Sequence, residues 1–286
     1  MIGVEEREAK YRSDPRSTKE LLHLTLQSEA DRDGDEYWHP LWTLQHRLPQ
    51  VLGEVRNLLE SSDAKSREVG SDILGQNGVR HKVAAPECVG LLLGRLERET
   101  SEEVLCSIMM ALGHLNDASA IGPLLKWQTH TSGNVRYALV SSLSGHEDAR
   151  AIRALVELSA DENRDVKNWA TFGLGSLVDW DSPELRDALF KRLTEEDAEI
   201  RGEALVGLAR RGDPRVIDTL NRELSNIETC SVGSLLDEAV EAIISAAKAS
   251  GAKVWRPILL KIREKSFAHH QTALAEALRI VGETNG

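Results

Sequence analysis

VRYALVSSLSG from Val135, VKNWATFGLGSL from Val166 and IRGEALVGLARRGD from Ile200 repeat one pattern of apolar, small and charged residues. SREVGSDILGQNG from Ser66 and VLCSIMMALGHLND from Val104 fit the same frame less cleanly. A period of roughly thirty to forty residues marks a solenoid, in which no unit buries its apolar face alone and each must stack on its neighbours. Within each unit the apolar residues recur at three- and four-residue spacing, as in Ala170, Leu174 and Leu177 after Val166, so the segment reads as an amphipathic helix. Gly173, Gly175 and Gly207 fall inside these helices. Each costs about 1 kcal/mol relative to Ala, and a close approach of neighbouring helices is a reason to tolerate that cost.

Turn signals separate the helices. Gly212-Asp213-Pro214 offers an aspartate to cap orphan amides and a proline whose φ suits the first helical position. Asn116-Asp117, Glu147-Asp148 and Asp181-Ser182-Pro183 repeat this punctuation in weaker form. A second amphipathic helix follows each turn, at Ala118 to Trp127, Asp148 to Ser159, Ser182 to Arg192 and Arg215 to Leu224. The frame extends to a first pair at about Thr18 to Arg47, pairs near Pro49 to Gly75 and Pro86 to Leu115, and a last pair near Val254 to Val281. Longer connections are expected at Gly78 to Ala85 and Ser225 to Ser234, and residues 1–16 read as a frayed or extended lead-in. The expectation is a single all-α repeat domain over residues 1–286, of about eight helix pairs and clearest over 86–225.

These residues carry a family resemblance. Val135-Arg136, Val166-Lys167, Ile200-Arg201, Ala111-Leu112-Gly113, Gly173-Leu174-Gly175 and Gly212-Asp213-Pro214 together resemble HEAT repeats of the phycobilin-lyase type. The resemblance implies a right-handed α-α superhelix. It leaves function open, because one fold hosts chromophore lyases, a hydroxylase, glycosylase relatives and plain binding scaffolds.

Composition narrows the classes. A net charge of −11 and a pI near 5.4 give a surface that repels a phosphate backbone carrying one negative charge per ~1.7 Å of duplex, so nucleic acid is not an expected partner. Cys88, Cys106 and Cys230 are far apart and form neither a CxxC nor a Cys/His cluster, which points away from disulfides and zinc. Cys88 and Cys106 are expected to be buried reduced thiols. The charged N-terminus, MIGVEEREAKYRSD, reads as no signal peptide, and no apolar run suits a membrane span. A cytoplasmic location is expected.

The resemblance places the Val-Arg helices on a concave side, with the free positions of the pattern facing the groove. Those positions hold Glu68 and Asp72, Met110, Tyr137, Asn168, Trp169 and Phe172, and Glu203, while YWHPLWTLQHR from Tyr37 adds Trp38 and Trp42. Trp38 and Trp42 share a helical face, as do Trp169 and Phe172. Aromatics rimmed by Asp35, Glu68, Asp72, Glu103, Asp165 and Glu203 suit a protein or peptide partner of basic character. The opposing reading has each tryptophan cap an end of the core or pack between units. Arg67, Arg136, Lys167 and Arg201 recur at one position per unit. They form either an anion ladder or, as the surrounding acids favour, ties that hold the stack in register.

Catalytic patterns fail. Deoxyhypusine hydroxylase, which resembles this fold, holds iron through paired His-Glu motifs on helices, whereas His146-Glu147 is the single His-Glu dipeptide here and one pair builds no two-metal site. His269-His270, and His39 and His46, read as incidental or capping residues. Asp165, Trp42 and Trp169 match part of an alkylpurine glycosylase groove, but the charge balance opposes DNA. Phosphate loops, a Ser/His/Asp spacing and HExxH are missing. The chain therefore reads as a non-enzymatic binding scaffold or adaptor without cofactor or metal. The alternative is a lyase-type subunit acting on a bilin or other small ligand.

Overall fold

The computed structural model describes residues 9–28, 35–75, 85–225, 234–265 and 270–283. The connections expected at Gly78–Ala85 and Ser225–Ser234 fall almost wholly outside this set, as do residues 1–8, Cys230 and His269. The chain divides into two compact units, Met1–Leu143 and Ser144–Gly286.

The first unit holds α1 (Thr18–Gln27), α2 (Asp35–His46), α3 (Leu48–Leu59), α4 (Ala64–Gly75), α5 (Ala85–Leu96), α6 (Glu102–Leu115), α7 (Ile121–Leu125) and α8 (Gly133–Leu143). In the second unit come α9 (Ala149–Leu158), α10 (Arg164–Phe172), a π turn (Gly173–Leu177), α11 (Pro183–Arg192), α12 (Ala198–Arg210), α13 (Ile217–Ser225), α14 (Ser234–Ser250), α15 (Arg256–Glu264) and α16 (Gln271–Glu283). The described residues thus make an all-α solenoid of eight successive helix pairs, four in each unit. The second helices of the pairs stack in a row, α2 on α4, α4 on α6 and α6 on α8 in the first unit, and α10, α12, α14 and α16 in the second.

The expected punctuation sets the helix starts. Asp213 accepts from the Arg215 amide at 3.0 Å ahead of Pro214, and Gly212 takes φ 59°, a left-handed turn that glycine enters without strain. Asp117, Asp148 and Ser182 cap their helices likewise, and Ser17 and Glu20 close a reciprocal capping box on α1. The close approaches expected at glycine are present too: a Cβ on Gly175 would lie 2.9 Å from the Glu203 carbonyl oxygen and one on Gly207 would lie 2.6 Å from the Gly175 Cα. Gly113 adds another, where a Cβ would lie 2.7 Å from the Ser142 Cα.

Two local expectations change. Gly173–Leu177 widens into a π turn instead of continuing α10. The carbonyls it frees are taken by Arg211, which donates to the oxygens of Leu174, Gly175, Val178 and Trp180 and to Gly207 of its own helix. Residues 9–16 of the lead-in are folded: Tyr11 is 4% exposed and its ring meets those of His39, Trp42 and His46. Arg47 donates to the carbonyls of Asp14 and Arg16, so this segment is seated on the first helix pair.

The recurring basic residues act as ties. Arg67, Arg136 and Arg201 each reach back to the carbonyls six and five residues earlier, at Ser61 and Ser62, His130 and Thr131, and Glu195 and Glu196. Arg67 also pairs with Glu99, Lys167 with Glu195 and Arg201 with Glu223, each in the following helix pair. The guanidinium thus holds the turn before its own helix and the pair after it, which favours the register reading over an anion ladder.

Candidate binding surfaces on the two units

In the first unit, the helix spacing of Trp38 and Trp42 brings their rings into a stack, with centroids 5.8 Å apart and planes at 26°. Both are half-buried. The buried Tyr37 ring meets Trp38 edge-on and Tyr11 leans on Trp42, so these indoles cap the first pair at least as much as they face outward. Here His39 pairs with Asp14 at 3.2 Å and the His46 Nδ1 meets the Trp42 carbonyl at 2.7 Å, which places both in the capping cluster.

Asp72 leaves the acidic rim. It is 9% exposed and its carboxylate accepts from the Tyr37 hydroxyl at 2.6 Å, a contact that ties α2 to α4. Glu68 is half-buried beside Lys65 at 3.4 Å, Tyr137 is half-buried, and Met110 stands out at 37% exposure. Cys88 is buried, whereas Cys106 is half-buried because it occupies one of the free positions of α6. Asp35 is helical, while Glu103 is exposed and accepts from Ser101 at the start of α6.

In the second unit, Trp169 and Phe172 meet at 5.2 Å on α10. Asn168, one residue away, is 9% exposed, and its Oδ1 has no hydrogen-bond partner among the described residues. On α12, Ile200, Ala204, Leu205, Val206 and Leu208 are buried, which leaves Glu199 and Glu203 along one side at i and i+4. Glu203 Oε2 is buried without a hydrogen-bond partner among the described residues. Burial first, then the charges of Glu238 and Glu199, push the Glu203 carboxyl up to about 7.

Sequence reasoning missed the partners that complete this surface. On α14, Glu238, Glu241 and Ser245 are exposed at helical spacing, while Leu236, Val240, Ile243 and Ala247 are buried. A cleft of about 630 Å³ lies along α12, α14 and the chain after the π turn, with Val178, Val206, Ala242, Glu238, Glu241 and Asp179 in its lining. The apolar spacing of α14 was legible, but no Val-Arg signature marked it as a repeat helix whose free face could be transferred. Among the described residues, no group of three or more His, Cys, Asp or Glu is placed to hold a metal ion. No helix among them is long and apolar enough to cross a membrane.

Comparison with known proteins follows the same repeat frame. The family model described as HEAT repeats matches residues 89–175 and 158–226. Protein YibA of Escherichia coli strain K12 is 34% identical over 128 residues, 45% of this chain and 42% of YibA, so the matched stretch spans about two fifths of that relative. The X-ray structure of E. coli YibA superposes at a TM-score of 0.72 with 22% identity, over 97% of this chain and 96% of that one. An engineered protein of known crystal structure superposes at 0.60 with 18% identity, over 93% and 78%. At these identities the structural likenesses speak for the fold.

Proposed function

We propose that this HEAT-repeat protein is a binding scaffold that presents an acidic, partly aromatic face to a protein or peptide of basic character. Stacked repeats offer extended surfaces to partners. The observation that carries the reading is Glu203: a carboxyl buried beside Glu199 and Glu238, with an oxygen that no donor among the described residues satisfies. A buried acceptor without a donor is costly, and a lysine or arginine brought by a partner would supply both the proton donor and the missing positive charge. Trp169 and Phe172, in contact on the neighbouring α10, offer aromatic area of the kind that dominates hot spots. The net charge of −11 supports a protein partner over nucleic acid. A single repeat domain over residues 1–286 and a cytoplasmic location belong to the same reading.

The test is capture from native lysate with the wild-type chain and with Glu199→Gln/Glu238→Gln, at low and at high salt. Retained proteins should be basic, should release as ionic strength rises, and should be depleted by the variant. Capture of the same set by both chains, indifferent to salt, would overturn the reading.

A further inference from the structure

The cleft of the second unit combines two chemistries. Its accessible apolar surface is small, formed by Ala242, Ala246 and Ala249 of α14, with the buried Val178 and Val206 beneath. Its rim carries Asp179, Glu238 and Glu241. Arg210 and Arg211 line the cleft as well: Arg211 is turned inward onto five carbonyls, and Arg210 donates to the Ser176 carbonyl at 2.8 Å and stands 3.8 Å from Asp179, so their charge is set against Asp179 and not against α14. Glu238 and Glu241 have no ion-pair partner among the described residues, and Glu238 also faces the Glu203 carboxyl. Apolar surface and two acids without an ion-pair partner among the described residues, Glu238 and Glu241, therefore line one concavity.

We propose that this cleft is a docking groove for a basic amphipathic helix of a partner protein, with an aliphatic side chain on the Ala242–Ala246 surface and flanking Lys or Arg against Glu238 and Glu241. It rests on the scaffold reading and names the partner's chemistry. The charge pattern fits. Two carboxylates three residues apart on α14 match two cations at i, i+4 on a facing helix, since both pairs stand about 5–6 Å apart. A helix laid in a groove by one apolar face is a recurrent mode of peptide recognition. Small residues at Ala242, Ala246 and Ala249 leave room for the visiting side chain. A cation beside Glu238 also favours ionised Glu203, so docking near neutral pH should expel a proton.

The experiment measures binding of three probes by the full chain: a fluorescein-labelled helical peptide of leucine and lysine, the same peptide with glutamate in place of lysine, and poly-L-lysine. Ser245→Trp places a ring in the cleft from an exposed position, Ala249→Trp does so from the next turn, and Glu238→Gln/Glu241→Gln neutralises the rim. Circular dichroism checks that each variant keeps its helices. The leucine–lysine peptide should bind wild type, lose about tenfold or more in affinity on either tryptophan variant and on the double glutamine variant, and release protons on binding, read by calorimetry in buffers of different ionisation enthalpy. Poly-L-lysine should weaken on the glutamine variant alone, and the glutamate peptide should not bind. Undiminished peptide binding by both tryptophan variants would overturn the cleft and leave the acidic scaffold standing. Failure of wild type to bind either cationic probe would remove both.

Discussion

Arg67 and Glu99 form a bidentate ion pair inside the first unit, Nε to Oε2 at 2.8 Å and Nη2 to Oε1 at 3.0 Å, with the glutamate side chain fully buried. Burial by itself would raise the Glu99 carboxyl. The hydrogen bonds from Arg67, the Ser101 and Thr100 amides and Arg95 outweigh it and bring the pKa from 4.5 down to about 2. A folded value below the unfolded one contributes stability that is present above about pH 4.5 and is lost as pH falls through about 2. The span corresponds to roughly 3 kcal/mol. Urea denaturation from pH 6 to pH 2 should therefore show a steep loss in wild type. Glu99→Gln should start lower, because Arg67 keeps a buried charge without its counterion, and should fall less. Parallel profiles would remove this pair from the acid response.

Glu203 should act with the opposite sign. Its carboxyl is raised to about 7, so the folded state is favoured while the group is protonated and loses that advantage as pH climbs through 7. Glu203→Gln should then melt higher than wild type at pH 8, and the two should converge near pH 5. A variant melting lower at pH 8 would mean that an internal donor satisfies the carboxylate.

Two kinds of helical glycine should respond in opposite ways to alanine. At Gly53 of α3, an added Cβ would meet nothing within 4 Å, so Gly53→Ala should stabilise by up to about 1 kcal/mol through helix propensity. A Cβ at Gly113 would meet backbone at 2.7 Å, so Gly113→Ala should lower the urea midpoint despite the same propensity gain. Equal shifts in both variants would contradict the close packing of α6 on α8.

Arg211→Ala should cost about 3 kcal/mol or more, since it strips donors from several buried carbonyls at once. Arg211→Lys should recover part of the loss, its three donors being too few for five acceptors. Amide exchange should rise most at Gly173–Leu177, and an unchanged exchange rate there would separate Arg211 from the π turn.

Trp42→Ala should destabilise the first unit by about 3 kcal/mol, because its ring supports Tyr11 and Trp38. Binding of basic probes should survive the change. Selective loss of binding at unchanged stability would return Trp42 to the partner surface.

The succession of helix pairs and the turn punctuation between them were legible residue by residue, because each depends on contacts within a few positions: Asp213 reaches Arg215, and Ala204 shares a stripe with Leu208. The repeated Arg67 position was legible as a register tie for the same reason, recurring once per unit among acids. What a free helical position faces is another matter. Asp72 and Glu203 read alike as groove acids, yet Asp72 accepts from Tyr37 two helices earlier, while the Glu203 Oε2 finds no donor among the described residues and has the charges of Glu238 and Glu199 nearby. Glu238 and Glu241 entered the surface through the stacking of α14 on α12, which no local pattern announced. Burial and charge compensation are sums over neighbours distant in the chain, and those sums exist only once the helices have been laid side by side.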